Sequence, residues 1–141
     1  MEQNILKEAK RKMKEEILAK TIIIFIENLP AETIGTFNVT DIARKFKVSL
    51  SYLSRSFHKY NRCTPHEYLE LYKIIRFDCT VGMPKKITVK DTLAVMKIEN
   101  VNHFIKRYKI RMGATPGKYC KKYRQLRKET KKRFAALSKR K

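Results

Sequence analysis

A weak internal repeat of about fifty residues constrains this chain more than any other feature. Residues 38–68 read NVTDIARKFKVSLSYLSRSFHKYNRCTPHEY, and residues 88–119 read TVKDTLAVMKIENVNHFIKRYKIRMGATPGKY. Asp41, Lys47, Thr64, Pro65 and Tyr68 recur as Asp91, Lys97, Thr115, Pro116 and Tyr119 once one extra residue is allowed in the second turn. Self-similarity on this scale means one supersecondary unit used twice. Each copy opens on a capping pattern, Asn38 with Asp41 and Thr88 with Asp91. There the first side chain accepts an orphan backbone N–H and the carboxylate sits at the positive end of the helix. Thr64-Pro65-His66-Glu67 is a fuller capping box, with proline at the first helical position, where its missing N–H costs nothing.

Within each copy a short helix (39–46; 89–96) is expected to pass through a three- or four-residue turn into a second helix (50–60; 100–111), the helix-turn-helix arrangement. A helix from Pro65 to about Val81, with Tyr68, Leu71, Tyr72, Ile75 and Cys79 along one face, would join the copies. Only four glycines and four prolines punctuate the chain, so long helices separated by short turns are the simplest reading. Ahead of the repeat, Leu18, Ile22, Phe25, Ile26 and Leu29 follow the stripe of an amphipathic helix. The β-branched cluster 22–24 would also suit a buried strand, but no run of period two is present to pair with it. The expected fold is all-α, two helix-turn-helix subdomains joined by a long linker helix. Residues 1–36 form an N-terminal helical segment, 37–64 the first unit, 65–82 the linker helix, 83–124 the second unit and 125–141 a basic tail.

Charge narrows the partner. The 141 residues carry 34 Lys and Arg against 13 Asp and Glu, a net charge of +21, and 43% hydrophobic residues still supply a core. Such an excess makes the compact state self-repelling unless a polyanion neutralises it, with nucleic acid first and an anionic membrane second. Residues 1–36 hold six basic and six acidic side chains, so the whole excess lies in 37–141. The longest apolar run, 21–26, falls far short of the ~20 residues that span a bilayer, and no leader-like cleavage site follows an N-terminal apolar region. Cys63, Cys79 and Cys120 are odd in number and form no C-x-x-C pair, and His58, His66 and His103 lack metal-ligand spacing to any of them. Reduced thiols and no metal or other cofactor are expected. No nucleophile–base pair, paired carboxylates or glycine-rich phosphate loop can be assembled, so no enzyme is expected.

Sorting each copy into inner and outer faces locates the candidate chemistry. In the first, Ile42, Phe46, Val48, Leu53 and Phe57 would form the small core, leaving Ser51, Ser54, Arg55, His58 and Lys59 outward. The second would bury Leu93, Ile98, Phe104 and Tyr108 and present Asn102, His103, Lys106, Arg107 and Lys109. Such faces suit a major groove: Arg forks to guanine O6 and N7, Asn to adenine N6 and N7, and Ser or His to several edges.

At these residues the chain resembles the AraC/XylS family of bacterial transcription regulators, whose DNA-binding region is two helix-turn-helix units joined by a long helix. The resemblance covers about residues 37–124 and is carried by IARKFKVSLSYLSRSFHKY with TPHEYL after it, and by HFIKRYKIRMGATPGKY. It implies base-reading positions at Ser51, Ser54 and Arg55 in the first unit and at Val101, Asn102, His103 and Lys106 in the second. Ile105 would add an apolar contact, and Asn38, Thr88 and Lys109 would touch phosphate. Where the family usually has glycine this chain has Arg62 and Lys97, and where it has a small residue this chain has Leu93 and Phe77. A leucine there forces a local shift, or Ala94 takes that role. Also implied are double-stranded DNA as partner, RNA polymerase as a second candidate partner, and a monomer on DNA reading two groove segments ~34 Å apart. No small-molecule effector site within this chain, no membrane and a cytoplasmic, nucleoid location complete the expectation. A non-specific nucleic-acid-coating protein of ribosomal or nucleoid type is the alternative, for which charge suffices.

Overall fold

The computed structural model describes residues 2–81 and 88–139, with Tyr123 described in its backbone alone. The described residues are all-helical, in the order α1 (Glu2–Glu27), α2 (Ala31–Ile34), α3 (Val39–Lys45), α4 (Leu50–Asn61), α5 (Pro65–Val81), α6 (Val89–Val95), α7 (Val101–Met112) and α8 (Pro116–Lys139). The expected strand alternative at 22–24 is therefore excluded, since those residues lie inside α1. Residue 82 of the expected linker and residues 83–87 at the start of the expected second unit fall outside the described residues. The expected tail boundary at 125 falls inside α8, which runs unbroken from Pro116 to Lys139.

The side chains of Asn38, Thr64 and Thr88 accept the backbone N–H bonds anticipated from sequence, and among these three the reciprocal box is seen at Asn38. The N–H of Asp41 donates to Asn38 Oδ1 at 2.9 Å while the N–H of Asn38 donates to Asp41 Oδ2 at 3.0 Å, a reciprocal box at the start of α3. Thr88 Oγ1 accepts from the N–H of Asp91 at 3.1 Å, and Thr64 Oγ1 accepts from the N–H of Glu67 at 3.1 Å ahead of α5. Both short helices also end alike. The N–H of Val48 donates to the Ala43 carbonyl and that of Ile98 to the Leu93 carbonyl, each at 3.1 Å. The intervening Lys47 and Lys97 are left-handed at φ 54° and 55°. This is the Schellman closure, and it puts a lysine twice where glycine is the unstrained choice. Arg62 closes α4 at φ 57° and Gly113 closes α7 at φ 80°, the same device with and without a Cβ.

One continuous core runs through both copies, from Ile22 and Ile26 of α1 through Ile42, Leu53, Leu69, Ile74 and Phe77 to Leu93, Met96, Phe104 and Tyr108. Helix α5 lies at its centre and packs against α1, α2, α3, α4 and α6. That position corrects the expected stripe on this helix. Leu69, Ile74 and Phe77 are the buried apolar residues, whereas Ile75 and Cys79 are exposed and Leu71, Tyr68 and Tyr72 are half-buried. A helix contacted from several sides buries positions around its circumference, so a single-face rule misplaces them. Phe77 packs its ring 5.3 Å from Phe104 and 5.5 Å from Tyr108, accommodating an aromatic side chain where the family pattern is small. Leu93 is buried and Ala94 exposed, so the register that makes Leu93 the counterpart of buried Ala43 holds.

Polar contacts dock α1. The Arg76 guanidinium donates to the carbonyl of Glu27 at the negative end of α1, and the Tyr68 hydroxyl donates to Glu27 Oε1 at 2.8 Å. Farther along, Tyr60 Oη donates to the carbonyl of Lys12 at 2.9 Å, pinning α1 along α4. Gly35, after α2, fits so closely against the end of α6 that a Cβ there would overlap the carbonyl oxygen of Met96.

Candidate nucleic-acid interface

Helices α4 and α7 are entered through side-chain caps, Ser49 Oγ accepting from the N–H of Tyr52 at 3.2 Å and Asn100 Oδ1 from the N–H of His103 at 3.1 Å. Each helix then buries one flank, Leu53, Ser56 and Phe57 in α4 and Phe104 and Tyr108 in α7. Burial of the Tyr108 ring leaves its hydroxyl in need of an acceptor, and it donates to Asp78 Oδ1 at 2.6 Å. Burial raises the pKa of Asp78 and this hydrogen bond opposes the rise, while burial and the same carboxylate push the Tyr108 phenol far up. Burial likewise raises the Cys63 and Cys120 thiols, which disfavours their thiolate forms.

Neither α4 nor α7 contains a carboxylate. On α4, Ser51, Arg55 and His58 are exposed at i, i+4 and i+7, and Ser54 is half-buried beside them. Lys59 is exposed too, but its Nζ lies 3.3 Å from Glu15 Oε2 of α1, so this cation has a protein carboxylate for a partner. That pairing depends on α1 lying along α4, which no local pattern in 50–60 encodes. On α7, Asn102, His103, Lys106 and Lys109 are exposed, and Val101 is partly so at the first turn. Arg107 and Arg111 are exposed and line a groove with Glu67 and Glu70 of α5.

Ile105 is half-buried on the core flank of α7. The outward apolar residue is Ile110, 80% exposed, which sequence reasoning passed over. Its spacing carries the signal: His103, Lys106 and Ile110 stand at i, i+3 and i+7. Asn38 and Thr88 spend their side-chain oxygens on their own caps, and the carboxylate of Asp41 closes the end of α3 with Arg44 3.8 Å away. A carboxylate at that helix end competes with a phosphate there. Asn38 and His103, far apart in sequence, line one shallow groove together with Thr36, Asn100 and Lys73.

In its first turns helix α8 buries Pro116 and Cys120 and half-buries Tyr119, and every side chain described from Lys121 to Lys139 is exposed. Its 24 residues hold ten Lys and Arg against Glu129 alone. Among the described residues, no group of three or more His, Cys, Asp or Glu is placed to hold a metal ion, and no helix is long and apolar enough to cross a membrane. The available chemistry is hydrogen bonding and cationic contact from two helix faces and one projecting basic helix. No protein-family model, curated protein or solved structure matches this chain.

Proposed function

We propose that this chain is a sequence-specific double-stranded DNA-binding transcriptional regulator of the AraC/XylS type. In this reading α3 with α4 and α6 with α7 are two helix-turn-helix units, α5 is the helix that joins them, and α4 and α7 are the recognition helices. The observation that carries it is the repetition of one local geometry. Both copies have a capped seven-residue helix, a left-handed lysine in a Schellman turn, and a twelve-residue helix free of acids with a polar, basic outer face. A protein that merely coats polyanions needs charge but has no use for two similarly built reading helices. Ser51, Ser54, Arg55 and His58 would read one groove segment, and Asn102, His103 and Lys106 the other, with Val101 at the helix entry. Ile105, half-buried on α7, would add the apolar contact, with the exposed Ile110 a second candidate, and Lys109 and the cations of α8 would supply phosphate contact. Because one core holds both units, the DNA must bend to meet both faces or leave one disengaged.

Selection of bound duplexes from a random-sequence pool at about 150 mM salt tests this, since that concentration strips weak non-specific binders. Enrichment of two short motifs about one helical turn apart, ~34 Å, is the expected result. Tight binding with no enriched motif would refute sequence-specific reading and leave the coating protein.

A further inference from the structure

The apolar stripe that seats helix α8 on the core does not stop where the core stops. Tyr119 packs its ring 6.0 Å from that of Tyr108, and Cys120 is buried beside it. Seven residues beyond Tyr119 the same face continues as Leu126, Thr130, Phe134 and Leu137, at intervals of four, four and three. There Leu126, Phe134 and Leu137 are 52%, 67% and 59% exposed. The Thr130 hydroxyl within the stripe donates to the Leu126 carbonyl at 2.8 Å, so its proton already has an acceptor if the face leaves water. Arg127 and Lys131 line one shallow hollow with Leu126, Thr130 and Phe134, and by helical spacing Lys122 and Arg133 border the other edge. From Lys121 to Lys139 there are nine Lys and Arg against Glu129 alone.

We infer that α8 binds an anionic lipid surface, lying flat with Leu126, Phe134 and Leu137 in the headgroup boundary and the flanking cations on the lipid headgroups. Charge selects this occupant. A second copy of α8 would cover the stripe only by setting nine cations against nine. A nucleic-acid duplex neutralises the cations but has no apolar layer beneath its phosphates, so three large apolar side chains stay in water. An anionic bilayer offers both, a charged surface with hydrocarbon directly under it. The long stems of Arg127, Lys131 and Arg133 lie beside the stripe while their charged ends reach the headgroups. Every side chain described from Lys121 to Lys139 is exposed, so covering the stripe displaces no core contact. The sequence expectation of no membrane rested on the lack of a spanning run, and α8 crosses nothing; it lies on the surface. The lipid site does not depend on the DNA-binding proposal, and its vesicle measurements contain no DNA.

The test is co-sedimentation of the full chain with vesicles of phosphatidylcholine containing about a third phosphatidylserine, against phosphatidylcholine alone, at about 150 mM salt. Wild type is expected to bind the mixed vesicles and not the neutral ones. The double variant Leu126→Gln, Phe134→Gln keeps every charge and alters only exposed side chains, so its circular dichroism should be unchanged. Its partition onto the mixed vesicles should fall roughly tenfold or more, while its affinity for a random duplex stays that of wild type. Depth is read separately. The chain has no tryptophan, so Phe134→Trp supplies a single reporter whose emission should shift to the blue on mixed vesicles and stay unshifted on duplex DNA. A chain that ignores the mixed vesicles overturns the proposal and leaves the stripe to an acidic protein with an apolar groove. Binding that survives the double substitution, or a reporter whose emission keeps its value in water, means that charge alone holds the chain and overturns it as well. A double variant that loses duplex and vesicles alike assigns the stripe to nucleic acid, with the same consequence.

Discussion

Gly35→Ala adds one methyl group at the tightest backbone approach found at a described glycine. That methyl would overlap the Met96 carbonyl oxygen and stand 2.8 Å from the carbonyl carbon and 3.3 Å from Cβ of the same residue. No flexible side-chain tip can move aside, because the obstruction is main chain at the end of α6, held by the Met96 N–H bonding the Thr92 carbonyl at 3.0 Å. Relief requires the end of α2 and the end of α6 to part by on the order of 1 Å, since carbon–carbon contact is comfortable only near 3.5–4.0 Å. Ile34 and Met96 are both fully buried at this seam and would lose packing as it opens. Overpacking costs about 1–3 kcal/mol, and loosening two buried side chains adds to it. The lower chain entropy of alanine returns about 0.5–1 kcal/mol, because Gly35 has an ordinary helical φ of −62°. The net expectation is a loss of about 2–3 kcal/mol, which at this chain length is a Tm lower by roughly 5–12 °C. Urea and thermal unfolding followed by far-UV circular dichroism measure both. Gly117→Ala is the matched control: nothing lies within 4 Å of its Cβ, so the same substitution should be neutral or gain up to about 1 kcal/mol. Equal effects at the two positions, or a Gly35→Ala protein as stable as wild type, would refute the close seam between the N-terminal segment and the second copy.

Left-handed closure by side-chain-bearing residues gives the opposite sign: Arg62→Gly and Lys97→Gly, at φ 57° and 55°, should each stabilise by about 0.5–1 kcal/mol in urea unfolding. Asp78 has a pKa raised by burial, so the unfolded chain releases its proton first and stability drains away as pH climbs from the ordinary value of 3.8 through the raised folded value. Asp78→Asn keeps an acceptor for Tyr108 and removes that drain, so its stability relative to wild type should grow between pH ~4 and neutrality; a constant difference across the range would contradict the burial cost. On DNA, Arg55→Ala should cost ~1–3 kcal/mol at the selected site and relax one base pair. Removing 125–141 should weaken all duplexes alike and flatten the salt dependence measured by fluorescence titration.

What could be read in the sequence was local. Asn38, Thr64 and Thr88 cap helices because a short polar side chain reaches an N–H three residues on wherever it stands, and the starts of α3, α5 and α6 follow from that. Paired periodicities likewise placed Leu53, Phe57, Phe104 and Tyr108 inside, since each of those helices meets the core along one flank. The all-helical class followed from the same periodicities and the scarcity of glycine and proline. Tertiary structure alone decided the rest. The surroundings of α5 determine that Leu69, Ile74 and Phe77 are buried and Ile75 is not. The path of α1 gives Lys59 a carboxylate partner, and the docking of α7 turns Ile110 outward while Ile105 is half-covered. It also decided which of the apolar residues of α1 join the core, because a helix pattern states that a face is apolar but not what will cover it.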